Sequence, residues 1–251
     1  ALRYSLMLIR SLLFNLSFFG LTILLALLLF PALLLPRQIF LRTVRFWAWA
    51  VDYLLCHVVG ANIEVRGTAR LRGPCLVACK HQSAWETIAL NRIIADPCFI
   101  LKRELTWIPF FGWYLVKTGQ VAVDRATGPR ALKAMLHDVE AAVAGGRQPV
   151  IFPEGTRVPP GESQPYHPGV AALYRHLGVP VVPVAVNSGL TWGRRAFLKR
   201  SRRLILSALE PIPPGLDRTA FMSRLEAVIE GETRALEEEA LSAERDRPGA
   251  P

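Results

Sequence analysis

The chain has 251 residues, of which 51% are hydrophobic, and this is enough for one sizeable α/β domain with an appendage rather than two full domains. Thirty lysines and arginines against twenty acidic residues give a net charge of +10. Such an excess favours an anionic partner, which is nucleic acid, an anionic membrane surface or a phosphorylated substrate. The four cysteines form neither a CxxC pair nor a cluster with histidine, so the pattern indicates reduced, buried thiols rather than a zinc site.

A long apolar run at residues 12–35 predicts a membrane segment. Its only strongly polar residue is Asn15, and about 20 apolar residues suffice to cross a bilayer core. A secretory signal would be shorter and end at a cleavage site, whereas Pro36 and Arg37 follow this run. Two arginines precede it and three follow, which favours a cytoplasmic C-terminal side. Cations at both ends equally suit a helical hairpin that dips into one leaflet.

The next segment, residues 37–59, has apolar side chains at helical spacing with charged residues between them. This pattern predicts an amphipathic helix at the membrane interface, with Trp47 and Trp49 at the level of the lipid headgroups. The alternative is a helix that packs into the core of the soluble domain, and one helix could do both. Residues 1–60 are therefore predicted to form an N-terminal, two-helix, membrane-embedded element.

After Gly60, short apolar runs alternate with helical patterns. This alternation predicts an α/β fold with a central, largely parallel or mixed sheet covered by helices. The predicted strands are 62–66, 75–79, 98–101, 119–123, 149–152, 181–186 and 204–209, and the predicted helices are 85–95, 128–144 and 168–177. The α/β domain is assigned to residues 61–225, and residues 226–251 to a charged C-terminal helix with a frayed tail.

The stretch KHQSAWE, residues 80–86, carries a candidate catalytic pair. On a continuous helix, five residues turn through about 500°, so the side chains of His81 and Glu86 would diverge. We therefore predict a strand that ends before His81 and a helix that begins at Ala84, capped by Ser83. Glu86 could then reach back to one imidazole nitrogen while the other accepts a proton from a substrate hydroxyl. The alternative is a histidine with a structural role.

The motif FPEGTR, residues 152–157, follows an apolar strand and is more specific. Gly155 permits close approach of the backbone to an anion, and Arg157 offers a planar fork that fits phosphate oxygens. Glu154 would repel a phosphate. We therefore expect Glu154 to orient Arg157 or to accept a hydrogen bond from a substrate hydroxyl.

The remaining motifs are less specific. The aromatic run WIPFFGW, residues 107–113, is predicted to wall the mouth of an acyl-chain site or to pack as a short core helix. Proline cannot donate to a strand ladder, so Pro180 and Pro183 in VPVVPV are expected at a strand start, a bulge or an edge. The basic stretch 194–203 is either a solvated face or a contact for anionic headgroups.

Taken together and in this order, KHQSAWE, WIPFFGW, GQVAVDR, FPEGTR and VPVVPV resemble the glycerolipid acyltransferase family, and within it the bacterial lysophosphatidic acid acyltransferases. The resemblance covers roughly residues 58–209. It implies transfer of a fatty acyl group from acyl-CoA or acyl carrier protein to the sn-2 hydroxyl of 1-acyl-glycerol-3-phosphate. It also implies a site that faces the cytoplasm at the bacterial inner membrane, with membrane lipids as neighbours and no metal or cofactor.

The resemblance assigns roles to individual residues. It implies that His81 is the base and Glu86 its acidic partner, although the family usually has aspartate at this place and often a small polar residue where Val158 stands. It implies that Arg125, Glu154, Gly155 and Arg157 bind the acceptor and that Pro180 and Pro183 match a further motif of the family. The predicted substrate-binding residues are these four together with Lys102, Thr156 and Pro183.

The sequence leaves three alternatives open, which concern the acceptor, the catalytic route and the function itself. The acceptor could be another lysophospholipid, a lyso-ornithine lipid or a lipid A precursor. An acyl-enzyme on Ser83 would be a different route, although the GxSxG elbow that exposes such a nucleophile is missing. A membrane-tethered protein that binds anionic lipid without chemistry is the third. Nucleic acid is not an expected partner, because the basic residues match no nucleic-acid-binding motif.

Overall fold

The computed structural model describes residues 2–245, apart from the side chains of Ala32 and Arg125. The helices are α1 Leu2–Leu28, α2 Arg37–Leu54, α3 Trp85–Ile93, α4 Phe111–Lys117, α5 Pro129–Ala144, α6 Gly169–Leu177 and α7 Arg218–Arg245. The strands are β1 Asn62–Arg66, β2 Leu76–Cys79, β3 Pro97–Lys102, β4 Val121–Val123, β5 Gln148–Ile151, β6 Val181–Val186 and β7 Arg203–Ala208. All seven predicted strands are present, with small shifts at their ends.

The strands form one sheet in the order β1-β7-β6-β2-β5-β3-β4. Neighbouring strands are parallel except β6 and β7, which are antiparallel. This confirms the predicted largely parallel, mixed sheet. The carboxyl ends of β6, β2, β5, β3 and β4 therefore meet at a single edge, where the loops that follow them come together.

Helices cover both faces of the sheet, which explains why β2 is buried along its whole length. Val77 and Cys79 face a core shared with α1, α2 and α3. Leu76 and Ala78 face a second core, to which α5, α6 and α7 contribute. All four cysteines are free; Cys56 is partly exposed and the other three are buried, largely as predicted.

Pro183 lies within β6, in the interior of the sheet. The antiparallel ladder pairs Val184 with Ala208, and the next bridge pairs Val181 with Ile212. Between these two pairs, the segment opposite β6 has one residue more than β6 itself. This is a β-bulge opposite Pro183, and the missing N–H of proline therefore removes no regular ladder bond. Pro180 directly precedes the strand. Both prolines thus occupy positions of the kind that the sequence predicted.

Helix α1 begins ten residues earlier than the predicted membrane segment. Among the described residues it is the one helix that is long and apolar enough to cross a membrane by length and composition. Ser11 and Phe14 are nevertheless buried against the domain, and the Phe14 ring packs edge-on against Trp192 with ring centroids 5.2 Å apart. One side of α1 is therefore docked, while Leu16 and Leu28 on its other sides are exposed.

Helix α2 continues as one wide turn, Leu55–Val59, so its extent agrees with the predicted amphipathic helix. Of the two tryptophans, Trp47 differs from the prediction. Trp49 is exposed, but Trp47 packs inward and its indole N–H donates to Thr22 Oγ1 at 3.0 Å. Trp47 therefore joins α2 to α1, because its polar atom finds a partner inside the protein.

Helix α7 is longer than the predicted C-terminal helix and is integral to the domain. Phe221, Leu225 and Ile229 are fully buried in the second core. The predicted division at residues 225 and 226 therefore falls inside one continuous helix that packs on the sheet.

Candidate active site

His81 lies on the turn between β2 and α3, as the spacing of the motif predicts. Its Nδ1 is 2.7 Å from Oε1 of Glu86, so the structure brings the two side chains together. Phe152 stacks on the imidazole, with ring centroids 4.0 Å apart. The pairing uses Nδ1 and leaves Nε2 as the nitrogen that can face a substrate.

The carboxylate of Glu86 is fully buried and held from several directions. Besides His81, the backbone N–H groups of Gln82 and Ser83 donate to Oε1 at 2.8 and 2.7 Å. The Ser188 hydroxyl, in the loop after β6, donates to Oε2 at 2.7 Å. These donors fix the carboxylate, which in turn fixes the orientation and the tautomer of the imidazole.

Ser83 stabilises the turn rather than standing exposed. Its hydroxyl is fully buried and accepts a hydrogen bond from the N–H of Trp85 at 3.2 Å. The helix begins at Trp85, which is the first residue of the predicted helix 85–95 and one residue after Ala84. A buried hydroxyl in this position gives no support to an acyl-enzyme on Ser83.

The FPEGTR turn follows β5, which pairs directly with β2, and it holds the backbone of His81 on both sides. The N–H of Val158 donates to the carbonyl of His81 at 2.8 Å. The N–H of His81 donates to Oε2 of Glu154 at 2.9 Å. The other oxygen of Glu154 lies 2.6 Å from Nζ of Lys80, and both side chains are fully buried. The expected role of Glu154, which was to orient Arg157 or bind a substrate hydroxyl, is therefore not what the structure shows.

Gly155 also differs from the expectation of a bare amide that holds an anion. Its N–H donates to the carbonyl of Phe152 at 2.9 Å, which closes the turn. Its φ of +65° is the left-handed conformation that glycine adopts without strain. Gly155 and Thr156 both line the cavity beside the histidine, so they shape the site.

Arg157 lies at the same cavity together with two further arginines of the loop after β6. Arg194 donates to the carbonyl of Arg157 at 3.3 Å, and Arg195 has a φ of +55°, which is uncommon for a residue with a side chain. Burial lowers the pKa of Arg157; Glu86 acts in the opposite direction, and the two neighbouring arginines lower the pKa further. Arginine stays charged at neutral pH despite such shifts, so this end of the cavity is suited to an anion.

The cavity itself has a volume of about 1560 Å³ and contacts both the sheet edge and the N-terminal helices. His81 and Arg157 line it on the side of the sheet. Much of its remaining wall is apolar, contributed by α1, α2 and the aromatic run after β3, with Phe18, Phe110 and Phe111 among the lining residues. A cavity with one basic end, one imidazole and a long apolar section matches a lipid with a charged head.

The remaining predicted residues differ in their placement. Lys102 ends β3, is exposed and lines the cavity. Arg125 follows β4 at the same sheet edge, but its side chain lies outside the described part of the structure. Pro183 is buried in the sheet and is not among the described lining residues, so the prediction that it binds substrate is not supported. Within residues 2–245, no group of three or more His, Cys, Asp and Glu side chains is placed to hold a metal ion.

The site lies inside a region that matches known proteins. The family model described as Acyltransferase matches residues 62–187, from β1 to just past β6. A 1-acyl-sn-glycerol-3-phosphate acyltransferase of Pseudomonas aeruginosa is 37% identical over 172 residues, which are 68% of this chain and 67% of the relative. The chain belongs to the acyltransferase family.

Two other relatives carry the same printed name as the Pseudomonas protein, and one solved structure has a similar fold. The yeast 1-acyl-sn-glycerol-3-phosphate acyltransferase is 28% identical, and the human beta form is 31% identical. The matches cover 57% and 61% of this chain and only 50% and 57% of these two relatives. The crystal structure of the 1-acyl-sn-glycerophosphate acyltransferase PlsC from Thermotoga maritima has a TM-score of 0.73 at 21% identity, over 91% of this chain and 97% of that one. That likeness establishes the fold.

Two parts of the acyltransferase site lie beyond the family match and were not singled out from the sequence. Ser188 stands one residue past the matched region and reaches Glu86 from the loop after β6. Arg194 was predicted only as part of a basic stretch, whereas it lies beside Arg157. One signal could have identified Ser188, namely that it lies just after a predicted strand. Loops that follow neighbouring parallel strands gather at the same edge of a sheet, so Ser188 could have been expected near His81.

Proposed function

We propose that this acyltransferase moves a fatty acyl group from acyl-CoA or acyl carrier protein to the sn-2 hydroxyl of 1-acyl-glycerol-3-phosphate and so produces phosphatidic acid. The observation that carries the proposal is that the His81–Glu86 pair and Arg157 line one cavity with a long apolar section. The names of the relatives support the choice of acceptor.

In the proposed reaction, Nε2 of the neutral imidazole of His81 takes the proton from the acceptor hydroxyl as that oxygen attacks the thioester carbonyl. A C–O bond forms, the C–S bond breaks, and the imidazolium returns its proton to the leaving thiolate. The products are the acylated lipid and the free thiol. Glu86 stabilises the imidazolium while the proton is held, since its carboxylate is 2.7 Å from Nδ1. Metal and cofactor play no part in this proposal.

The head and the tails of the lipids have separate partners in the proposed complex. Arg157, with Arg194 and Arg195 beside it, binds the phosphate of the acceptor through charge-assisted hydrogen bonds. The apolar walls from α1, α2 and the aromatic run receive acyl chains. The exposed apolar side of α1 lies in the membrane, which we propose is the bacterial inner membrane with the site toward the cytoplasm.

The test is release of thiol from acyl-CoA by the purified protein in mixed micelles. We expect release that depends on added lysophosphatidate, with a product that has the mass of phosphatidate. Release with lysophosphatidylcholine or lyso-ornithine lipid and none with lysophosphatidate would contradict the acceptor and retain the reaction type. Binding of anionic vesicles with no thiol release from acyl-CoA or from acyl carrier protein, whichever acceptor is added, would overturn the enzymatic proposal.

A further inference from the structure

Helix α7 lies outside the region that matches the family model, yet it places two buried carboxylates behind the His81 turn. Glu230 and Glu237 are 6% and 8% exposed. They are seven residues apart, which is two helical turns, and so they point from the same side of α7. A charged C-terminal helix normally keeps its acidic residues in solvent, so these two need an explanation.

Glu230 holds the residue before the catalytic histidine. Nζ of Lys80 is 2.9 Å from each carboxylate oxygen of Glu230 and 2.6 Å from Glu154. The hydroxyl of Tyr166 donates to Glu230 at 2.7 Å. Because Glu154 also accepts from the backbone N–H of His81, the chain of contacts runs from α7 to the histidine.

Glu237 holds the residue after the histidine. Nε2 of Gln82 donates to Oε1 of Glu237 at 2.7 Å, and the N–H of Gly161 donates to Oε2 at 3.0 Å. Gln82 in turn accepts a hydrogen bond from the N–H of Gly189, next to Ser188. Side chains of α7 thus fix both neighbours of His81, although neither glutamate is among the described residues that line the cavity.

Stability alone is a weak reason for this arrangement. A buried ion pair is often no more stabilising than apolar side chains of the same volume, because both charges lose their hydration. What such contacts supply is a defined geometry, and a misplacement of about 1 Å at a catalytic group can cost on the order of 10²-fold in rate.

We propose that Glu230 and Glu237 are positioning residues of the acyltransferase site, which hold Lys80 and Gln82 so that the imidazole of His81 stays in line with Glu86 and the acceptor hydroxyl. This inference rests on the proposed function for its kinetic test. The geometry of the imidazole itself can be read without turnover.

The test uses Glu237→Gln in the full-length protein. Glutamine has one acceptor oxygen, so in either orientation of its amide it loses the contact with Gln82 or that with Gly161. We expect kcat per folded protein to fall on the order of ten-fold with KM for donor and acceptor within about two-fold. In NMR spectra with 15N-labelled histidine, the low-field Nδ1 proton signal that the hydrogen bond to Glu86 produces should weaken or shift. His81→Ala assigns that signal among the five histidines.

The matched control is Glu238→Gln, which removes the neighbouring but exposed carboxylate and should change neither readout. Gln82→Ala provides a second variant; its effect on kcat should not add to that of Glu237→Gln, because both break one contact. An unchanged signal and unchanged kcat in folded Glu237→Gln would overturn the inference, as would equal losses in Glu238→Gln. If the parent releases no thiol but Glu237→Gln alone shifts the signal, the proposed function fails and the positioning role stands.

Discussion

Glu86 shows how this site accommodates a side chain that is one methylene longer than the aspartate usual in the family. It starts in the first turn of α3 and returns to the preceding turn, where it accepts from the backbone N–H groups of Gln82 and Ser83 as well as from His81. The longer side chain therefore also satisfies free N–H groups ahead of the helix, where negative charge is favoured. The sequence predicted the pair with His81 because both residues lie in one short motif.

Substitution of Ser188 by alanine tests the support of that carboxylate. Ser188→Ala removes the hydrogen bond to Oε2 of Glu86 and leaves the bond to His81 in place. Since hydrogen bonds to charged groups contribute about 1.5–3 kcal/mol, we expect kcat to fall on the order of ten-fold with KM nearly unchanged. Steady-state thiol release measures this, and Ser223→Ala, at an exposed serine of α7, is the control. A normal kcat in Ser188→Ala would show that Glu86 does not need this donor.

The role of Glu154 could not be predicted from its motif. The sequence places it two residues after a strand and three before Arg157, which suggested a local pairing. Its actual partner is Lys80, which also binds Glu230 on a helix 150 residues further along the chain. The packing of elements that are distant in the sequence decides which buried charged residues form pairs. No local sequence pattern contains that information.

One buried cation, Lys199, contributes to the attachment of α1 to the domain. Nζ of Lys199 contacts Oδ1 of Asn15 at 3.3 Å and the carbonyl groups of Ala196 and Phe197 at 2.8 and 3.0 Å. The rings of Phe14 and Trp192 lie 5.6 and 5.2 Å from it. The sequence marked Asn15 only as the exception in an apolar run. A polar residue in such a segment often contacts protein rather than lipid.

Loss of the Asn15 side chain should loosen α1. Asn15→Leu removes the contact with Lys199 and the bond that the amide donates to the carbonyl of Phe197 at 2.9 Å. We expect the free energy of unfolding to fall by about 1–3 kcal/mol, because the buried Lys199 loses one of its hydrogen-bond partners. Denaturant unfolding in detergent micelles measures the change. Leu16→Ala, at an exposed position one residue along, should have little effect, and equal losses in the two variants would argue against a specific contact.

The alternation of strands and helices could be predicted from the sequence, because both faces of the sheet are covered and the apolar runs are short and regular. The strand order of the sheet and the packing of α7 against it could not. The two antiparallel neighbours β6 and β7 and the parallel edge strand β1 depend on long-range pairing. The acidic sequence of α7 gave no sign that Glu230 and Glu237 are inside the protein.

The stability of the whole protein should depend on pH through Glu154. Burial raises the pKa of Glu154 from 4.5 to about 7, although Lys80 and the His81 N–H act in the opposite direction. A carboxyl with a raised pKa binds its proton more tightly in the folded protein. Its contribution to the free energy of unfolding therefore falls as pH rises from about 4.5 to about 7 and is constant above that range.

Comparison with Glu154→Gln isolates this contribution. The free energy of unfolding of the parent minus that of Glu154→Gln should decrease between pH 5 and pH 7 and then level off, since other titrating groups cancel in the difference. Denaturant titrations at several pH values measure it. A difference that increases with pH would mean that Lys80 keeps Glu154 ionised at low pH.

If His81 removes the proton from the acceptor hydroxyl, the variant His81→Ala should lose most of its turnover. Thiol release from acyl-CoA with lysophosphatidate is measured for the parent and for His81→Ala, while flotation with lipid vesicles checks that both remain membrane-bound. A positioned general base contributes roughly 10²–10⁴-fold. Turnover of His81→Ala should therefore fall by at least about 10²-fold with membrane binding unchanged. Turnover close to that of the parent would show that His81 is not the base.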